Sequence, residues 1–138
     1  MCGLTGFINP FSLPTAEAER RVGAMADKIS HRGPDGRGTW TKGPIALGHR
    51  RLAVLDLSPT GAQPMLSACG RFVVAFNGEI YNHLELRQDM ADEGTAPEWR
   101  GRSDTETLLA AIMCWGLDEA LRRSAGMFAL ALWDQKEE

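Results

Sequence analysis

The residues with the clearest potential for chemistry stand at the start of the chain, in Met1-Cys2-Gly3. Removal of the initiator methionine, which is usual before a small residue, would leave Cys2 with both a thiol and a free α-amine. The thiolate is a strong nucleophile, and an α-amine with a pKa of about 7.7–8.0 can act as its base. The alternative is that Cys2 is a small apolar residue opening a buried strand, and these three residues alone favour it.

Asn77 and Gly78 offer two hydrogen-bond donors, a side-chain amide and a backbone N–H, at the predicted end of a strand. Two donors that converge on one point form an oxyanion hole, where one donor is worth about 3–4 kcal/mol of the reaction barrier. Asn-Gly is also the strongest short signal for a hairpin turn. The next residues favour a helix rather than a returning strand, which weakens the hairpin alternative.

Three charged residues are candidates for binding the two ends of an amino acid. Arg51 can hold a carboxylate through two parallel hydrogen bonds, and Asp104 and Glu79 can hold an ammonium group. Each has a structural alternative, as a solvated strand end, an acid favoured by a helix dipole, and a residue approaching a helix, respectively. Together with a thiol and an oxyanion hole, these groups match an amino acid with a reactive side-chain carbonyl, and glutamine fits.

Length and composition limit the possible classes of function. The 138 residues, 43% hydrophobic and 24% charged, suit one soluble globular domain. A net charge of −3 gives no electrostatic case for nucleic acid or an anionic membrane as a partner. The sequence contains no apolar run of membrane-spanning length and no signal-peptide pattern. Its three cysteines are widely spaced, which favours a reducing cytoplasm over a disulfide framework.

Periodicity and turn signals predict the elements that would position these residues. Strands are predicted at 3–9 (closed by Pro10), 45–49, 71–76 and 127–133, and helices at 15–29, 82–93, about 104–115 and 117–124. Thr15 is a candidate N-cap, Ser103 and Glu106 have the spacing of a capping box, and residues 31–38 are predicted as a loop. The buried faces of the first and third helices are predicted to carry Val22, Met25, Ala26 and Ile29, and Leu108, Leu109, Ile112 and Met113. This order of elements predicts an α+β protein layered on antiparallel sheets.

Five segments, in this order and spacing, resemble the class II glutamine amidotransferase domain at the N-terminus of glutamine-hydrolysing asparagine synthetases. They are Met1-Cys2-Gly3, His31-Arg32-Gly33-Pro34-Asp35, His49-Arg50-Arg51-Leu52, Asn77-Gly78-Glu79-Ile80-Tyr81-Asn82-His83 and Ser103-Asp104-Thr105-Glu106. The resemblance covers nearly the whole chain. It implies a four-layer αββα sandwich of the N-terminal-nucleophile hydrolase type, and hydrolysis of glutamine to glutamate and ammonia.

The resemblance also implies a role for each candidate residue. Cys2 would be the nucleophile and, once Met1 is removed, would supply the α-amine base. The other implied contacts are Asn77 and Gly78 for the oxyanion, Arg51 for the α-carboxylate, Glu79 and Asp104 for the α-amino end, and the main chain of Leu52, Ala53, Val54 and Leu55, with the approach at 101–103, as pocket walls.

The family pattern extends further than this sequence does. The family domain continues beyond the 127–133 strand into a synthetase domain that uses ATP and Mg²⁺, whereas this sequence ends at Glu138. We therefore expect one incomplete glutaminase domain over residues 1–138, with no cofactor for the glutaminase half. The implied partners are glutamine, a synthetase domain and a second copy in a homodimer, without nucleic acid or membrane.

Two alternatives stay open from the sequence. The chain could be a non-catalytic remnant that binds glutamine or mediates association, and retention of Met1 would lock the α-amine of Cys2 in an amide and remove the base. Amidotransferases of surface-polysaccharide gene clusters share the asparagine-synthetase-like branch, so the acceptor of the ammonia is not fixed.

Overall fold

The computed structural model describes residues 1–9, 13–53 and 58–137, which form two three-stranded antiparallel sheets with helices against their outer faces. The elements are β1 (Gly3–Ile8), α1 (Thr15–Lys28), β2 (Gly36–Lys42), β3 (Ile45–Arg51), β4 (Met65–Leu66), β5 (Phe72–Ile80), α2 (His83–Asp92), α3 (Asp104–Trp115), α4 (Leu117–Arg123) and β6 (Gly126–Asp134). Short 3₁₀ turns lie at Ser30–Arg32 and Pro59–Gly61. The strand order is β1-β3-β2 in the first sheet and β4-β5-β6 in the second.

Helix α1 covers the outer face of the first sheet with small side chains. Ala18, Val22 and Ala26 are buried at helical spacing, and Val22 packs against Gly48 of β3. Met25 was predicted for the same face but is 36% exposed, so that prediction is wrong. Because β1 lies at the edge of the described strand order, Met25 reaches past the sheet into a surface groove beside Ile8.

The larger core lies between the second sheet and the helices that follow it. Side chains of β5 pack here against α2, α3 and α4, and the buried cluster comprises Met65, Val74, Phe76, Ile80, Leu86, Met90, Leu108, Leu109, Ala110, Ala111, Ile112 and Ala120. Met113, predicted for the buried stripe, is 38% exposed. The other three residues of that stripe are buried as predicted.

A smaller core joins the two sheets. Ile45 and Leu47 of β3 pack with Val73 of β5, and the partly buried Trp40 and Trp133 pack against this cluster. Successive residues of β5 therefore face opposite layers, with Val73 toward the first sheet and Val74 toward the helices. The layers run α1, first sheet, second sheet, then α2 to α4, which confirms the predicted αββα sandwich.

Two strands differ from their predicted extents. Strand β2 begins at Gly36 within the predicted loop, since this edge strand carries glycines and exposed residues that hide its alternation. Strand β5 does not end before Asn77 but continues to Ile80, paired throughout with β6. The hairpin alternative for Asn77-Gly78 is therefore wrong, because tertiary pairing with a distant strand overrides the local turn signal.

Local capping chemistry determines some of the helix ends and not others. Ser103 accepts a hydrogen bond from the Glu106 N–H at 3.2 Å, as the capping-box spacing predicts. Gly94, at a φ of 70°, follows the end of α2. Thr15, however, is the first helical residue, and Pro14 occupies the cap position without a side-chain bond. Pro10 lies outside the described residues.

The two leucines of α2 provide a matched test of this core. Leu86 is 1% exposed within the large cluster, whereas Leu84 on the same helix is 68% exposed. We expect Leu86→Ala to lower the free energy of unfolding by about 2–5 kcal/mol, because it removes buried methyl groups and leaves a cavity. Leu84→Ala should change it by less than about 0.5 kcal/mol. Equilibrium urea denaturation measures both, and equal losses would contradict this packing.

Candidate active site

A cavity of 390 Å³ lies beside the N-terminus, between the end of β3, the second half of β5 and the start of α3. The sequence-predicted site residues that line it are Cys2, Arg51, Leu52, Asn77, Gly78, Glu79 and Asp104, together with Ser103 from the predicted approach at 101–103. Ala53 lies next to this set without lining the cavity, and Val54 and Leu55 lie outside the described residues. Residues far apart in the sequence thus converge on one space.

The thiol of Cys2 is held at the cavity wall by the main chain of Leu52. The Leu52 N–H donates to Cys2 Sγ at 3.3 Å, and the thiol is 3.5 Å from the Leu52 carbonyl oxygen. Arg32 Nε donates to the Cys2 carbonyl at 3.1 Å. This arrangement follows from the pairing of β1 with β3, which sets Gly3 opposite Arg50. Met1 also lines the cavity, with 76% of its surface exposed.

The turn before β2 holds the chain that carries Leu52. Arg50 Nε donates to the Gly33 carbonyl at 3.1 Å, and the Asp35 N–H donates to the Arg51 carbonyl at 3.0 Å. The Asp35 carboxylate in turn accepts from the Ala53 N–H at 3.0 Å. The segment 31–35 therefore affects the site indirectly, because it fixes the backbone against which the thiol lies.

Arg51 is the last residue of β3, and its guanidinium is oriented by the turn at 58–61. Arg51 Nη1 donates to the Ser58 carbonyl at 2.8 Å. A Cβ atom at Gly61 would lie 2.9 Å from Arg51 Cζ, so only glycine leaves the guanidinium this position. The guanidinium lines the cavity, and its five N–H donors form a fixed fork whose geometry suits a carboxylate.

Strand β5 turns one hydrogen-bonding edge toward the cavity. Its partner β4 pairs only with Val73 and Val74, so the edge beyond them is not covered by β4. Side chains bind there instead: Gln63 Oε1 accepts from the Phe76 N–H at 2.6 Å, and Asp104 Oδ2 accepts from the Ile80 N–H at 2.9 Å. Since alternate residues of a strand present their N–H groups to the same edge, Gly78 directs its N–H to this side as well.

Asn77 and Gly78 each have a structural feature that bears on the cavity. Asn77 is half-buried, and its Oδ1 is buried without a hydrogen-bond partner among the described residues. Gly78 has a backbone φ of 150°, which residues other than glycine rarely adopt. A Cβ atom added at this position would lie 2.5 Å from Phe128 Cα. The close approach of β6 therefore requires glycine at the position that faces the cavity.

The two predicted acids occupy different environments. Asp104 is 6% exposed and accepts from two backbone N–H groups, those of Ile80 at 2.9 Å and Thr105 at 2.8 Å. Each carboxylate oxygen can accept a further hydrogen bond, so these two bonds leave the Asp104 carboxylate with accepting capacity. Glu79 is exposed at the rim, with its carboxylate accessible to solvent and cavity.

Sequence reasoning missed several cavity residues, namely Gly61, Gln63, Phe76, Tyr81, Thr105 and Met127. Gln63 carries no local signal, because its bonds to the Phe76 N–H and to Thr105 Oγ1 arise from tertiary structure. Tyr81 and Met127, 59% and 75% exposed, form an apolar rim. Exposed apolar residues beside a cavity are a signal that only the fold reveals.

The described residues contain neither a metal-binding cluster nor a membrane-spanning helix. In residues 1–9, 13–53 and 58–137, no three His, Cys, Asp or Glu side chains are grouped so that they could hold a metal ion. Across the same residues, none of the helices combines the length and apolar character needed to span a membrane.

Two glycines test the requirement at position 78. We expect Gly78→Ala to lower the free energy of unfolding by roughly 4 kcal/mol, since a side chain at this φ costs about 1–3 kcal/mol and crowding against β6 adds about 1–3 kcal/mol. Gly70 has a φ of 73° with open space around it, so Gly70→Ala should lose the backbone contribution alone. Urea denaturation of both variants measures the difference, and an equal loss would contradict the close approach at Gly78.

Comparison with known proteins places this geometry in a family context. The family model described as glutamine amidotransferase domain matches residues 1–138. The chain is 35% identical over 140 residues to asparagine synthetase [glutamine-hydrolyzing] 3 of Bacillus subtilis, covering 99% of this chain and 22% of that protein. It is 37% identical over 114 residues to asparagine synthetase [glutamine-hydrolyzing] 1 of Saccharomyces cerevisiae, covering 83% of this chain and 19% of that protein.

A solved structure supports the same fold. Glutamine phosphoribosylpyrophosphate amidotransferase from B. subtilis, in complex with ADP and GMP, matches with a TM-score of 0.66 at 22% identity. The match covers 96% of this chain and 34% of the other. The chain spans about a fifth of the length of the asparagine synthetases above, 22% and 19%.

Proposed function

Because the chain belongs to the glutamine amidotransferase domain family, we propose that it hydrolyses glutamine to glutamate and ammonia with Cys2 as nucleophile. The observation that carries this proposal is the shared cavity, in which the Cys2 thiol, the Arg51 guanidinium and the Asn77-Gly78 segment meet. A thiol, an arginine and paired donors around one space suit an amino acid with an amide side chain.

Glutamine would bind through charges at its α-carbon. The Arg51 guanidinium, already oriented by Ser58, would hold the α-carboxylate, and Asp104 with Glu79 would hold the α-ammonium. This orientation leaves the side-chain amide to reach toward Cys2. Leu52, whose backbone fixes the thiol, would form the adjacent wall.

The reaction would proceed in two half-reactions. The α-amine of Cys2 accepts the thiol proton while sulfur bonds to the amide carbon, and the carbonyl π electrons move to oxygen. The C–N bond of the tetrahedral intermediate then breaks, and the protonated α-amine of Cys2 gives its proton to the departing nitrogen. Ammonia is released, and a γ-glutamyl thioester remains on Cys2. Water, deprotonated by the same amine, attacks the thioester and gives glutamate and the restored thiol. No cofactor enters this sequence.

Asn77 and Gly78 would stabilise the oxygen that becomes negative in both half-reactions. The Asn77 amide and the Gly78 N–H are the candidate donors, and the alternation of β5 turns the latter toward the cavity. Each donor placed where charge develops lowers the barrier by about 3–4 kcal/mol.

Removal of Met1 is a requirement of this mechanism. While Met1 is attached, the nitrogen of Cys2 belongs to a peptide bond and cannot accept a proton. Met1 also lines the cavity, so its loss would both free the base and enlarge the space for substrate.

We further propose that residues 1–138 are the glutaminase part of a larger amidotransferase of the cytoplasm. The matched asparagine synthetases are between four and five times as long as this chain, which leaves room for a synthetase domain that consumes the ammonia. ATP and Mg²⁺ would serve that domain, and association into a homodimer belongs to the same proposal.

Two exposed or half-exposed cysteines make a matched test of the nucleophile. Cys2→Ser should abolish glutamine hydrolysis, with a loss of at least about 10³-fold in kcat, because a hydroxyl is a far weaker nucleophile than a thiolate. Cys69→Ser should retain activity, since Cys69 is exposed outside the cavity. Ammonia release coupled to a dehydrogenase measures both. An active Cys2→Ser variant, or an inactive unsubstituted protein, would contradict the proposal.

A further inference from the structure

We propose that His49 and Gln63 are positioning residues that hold the oxyanion donors Asn77 and Gly78 in place, a role that rests on the function proposed above. Neither residue needs to touch the reacting atoms. Both bind the main chain of Phe76, the residue that immediately precedes Asn77.

One side chain binds the backbone N–H of Phe76, and the other binds its carbonyl oxygen. Gln63 Oε1 accepts from the Phe76 N–H at 2.6 Å, and His49 Nε2 lies 2.9 Å from the Phe76 carbonyl oxygen. A carbonyl oxygen can only accept, so the hydrogen resides on Nε2 of His49. Phe76 is thereby fixed at both its amide and its carbonyl, although its backbone lies beyond the end of β4.

The orientation of the Phe76 carbonyl affects the oxyanion donors directly. The Phe76 carbonyl and the Asn77 N–H belong to the same planar peptide unit, so rotation of one moves the other. A turn of this peptide would displace the Asn77 side chain and the Gly78 N–H together. Oxyanion donors are effective only when they are preorganised, and supporting hydrogen bonds supply that preorganisation.

His49 is built for a fixed role rather than for proton transfer. It is 1% exposed, and burial lowers the pKa of its imidazole, which keeps the ring neutral near pH 7. Its Nδ1 has no hydrogen-bond partner among the described residues, so the bond to Phe76 is the polar contact that accounts for a histidine here. His49 also lies on β3, two residues before Arg51, and thus links the carboxylate-binding strand to β5.

Gln63 links strand β5 to the start of helix α3, as His49 links it to β3. Its Nε2 donates to Thr105 Oγ1 at 3.3 Å, next to Asp104, whose carboxylate binds the Ile80 N–H of β5. The strand between Phe76 and Ile80 is therefore held at both ends by side chains. Gly78 lies midway between these two held residues, with its N–H turned to the same side.

Variants of His49 separate positioning from general stability. His49→Leu removes the donor, whereas His49→Gln keeps an N–H donor near the place of Nε2. We expect His49→Leu to lower kcat for glutamine hydrolysis roughly 10- to 100-fold, less than the 10²–10³-fold loss on deleting an oxyanion donor. KM for glutamine and the inhibition constant of glutamate should stay within about twofold, because the donors act on the transition state. His49→Gln should recover most of kcat.

Gln63 and Ser67 provide the second arm and its control. Gln63→Leu should lower kcat as His49→Leu does. Ser67 Oγ accepts from the Phe72 N–H at 3.0 Å, an equivalent bond at the far end of β5, and Ser67 is 4% exposed. Ser67→Ala should therefore cost stability, read from urea denaturation, while leaving kcat unchanged.

The outcomes distinguish the role from its premise. Glutamine hydrolysis by the unsubstituted protein, with kcat in Gln63→Leu no lower than in Ser67→Ala, would overturn the positioning role and leave the proposed function standing. A folded His49→Leu variant with unchanged kcat, or with KM raised in place of a lowered kcat, would do the same. If His49→Leu does not fold, Gln63→Leu decides. Absence of hydrolysis in the unsubstituted protein would remove the proposed function itself.

Discussion

The shortness of β4 is the constraint on which the candidate site depends. A strand of two residues pairs with Val73 and Val74 and leaves the next hydrogen-bonding groups of β5 without a strand partner. Buried backbone groups without partners are costly, so side chains must bind them. Gln63, His49 and Asp104 do so at Phe76 and Ile80, and the N–H of Gly78 between them faces the cavity. The interrupted sheet edge therefore holds the Gly78 N–H in a fixed position between two bonded residues, Phe76 and Ile80.

The same residues serve the fold and the candidate chemistry. Arg51 binds the Ser58 carbonyl, and Asp104 binds two backbone N–H groups, so both charged side chains have fixed geometry before any ligand arrives. A charged group that is already oriented loses little conformational entropy when substrate binds. The structural and functional interpretations of these residues, which the sequence set against each other, are therefore compatible.

Much of this arrangement was predictable where local rules act alone. The helix that follows Ser103 and the stop at Gly94 follow from caps, and the αββα layers follow from the resemblance. Strand β2 was missed because its glycines and exposed residues hide its alternation in the sequence. The continuation of β5 through Asn77-Gly78 was missed because pairing with a distant strand, β6, decides it. Gln63 was missed because its bonds join segments that only the fold brings together.

The most direct test of the central claim is the intact mass of the protein before and after treatment with 6-diazo-5-oxo-norleucine, a glutamine analogue that alkylates a reactive thiol with loss of N₂. We expect a chain that begins at Cys2 and gains one adduct, which peptide mapping assigns to Cys2 rather than to Cys69 or Cys114. Retention of Met1 with no adduct would contradict it, because the thiol would then lack both its α-amine base and an assembled glutamine site.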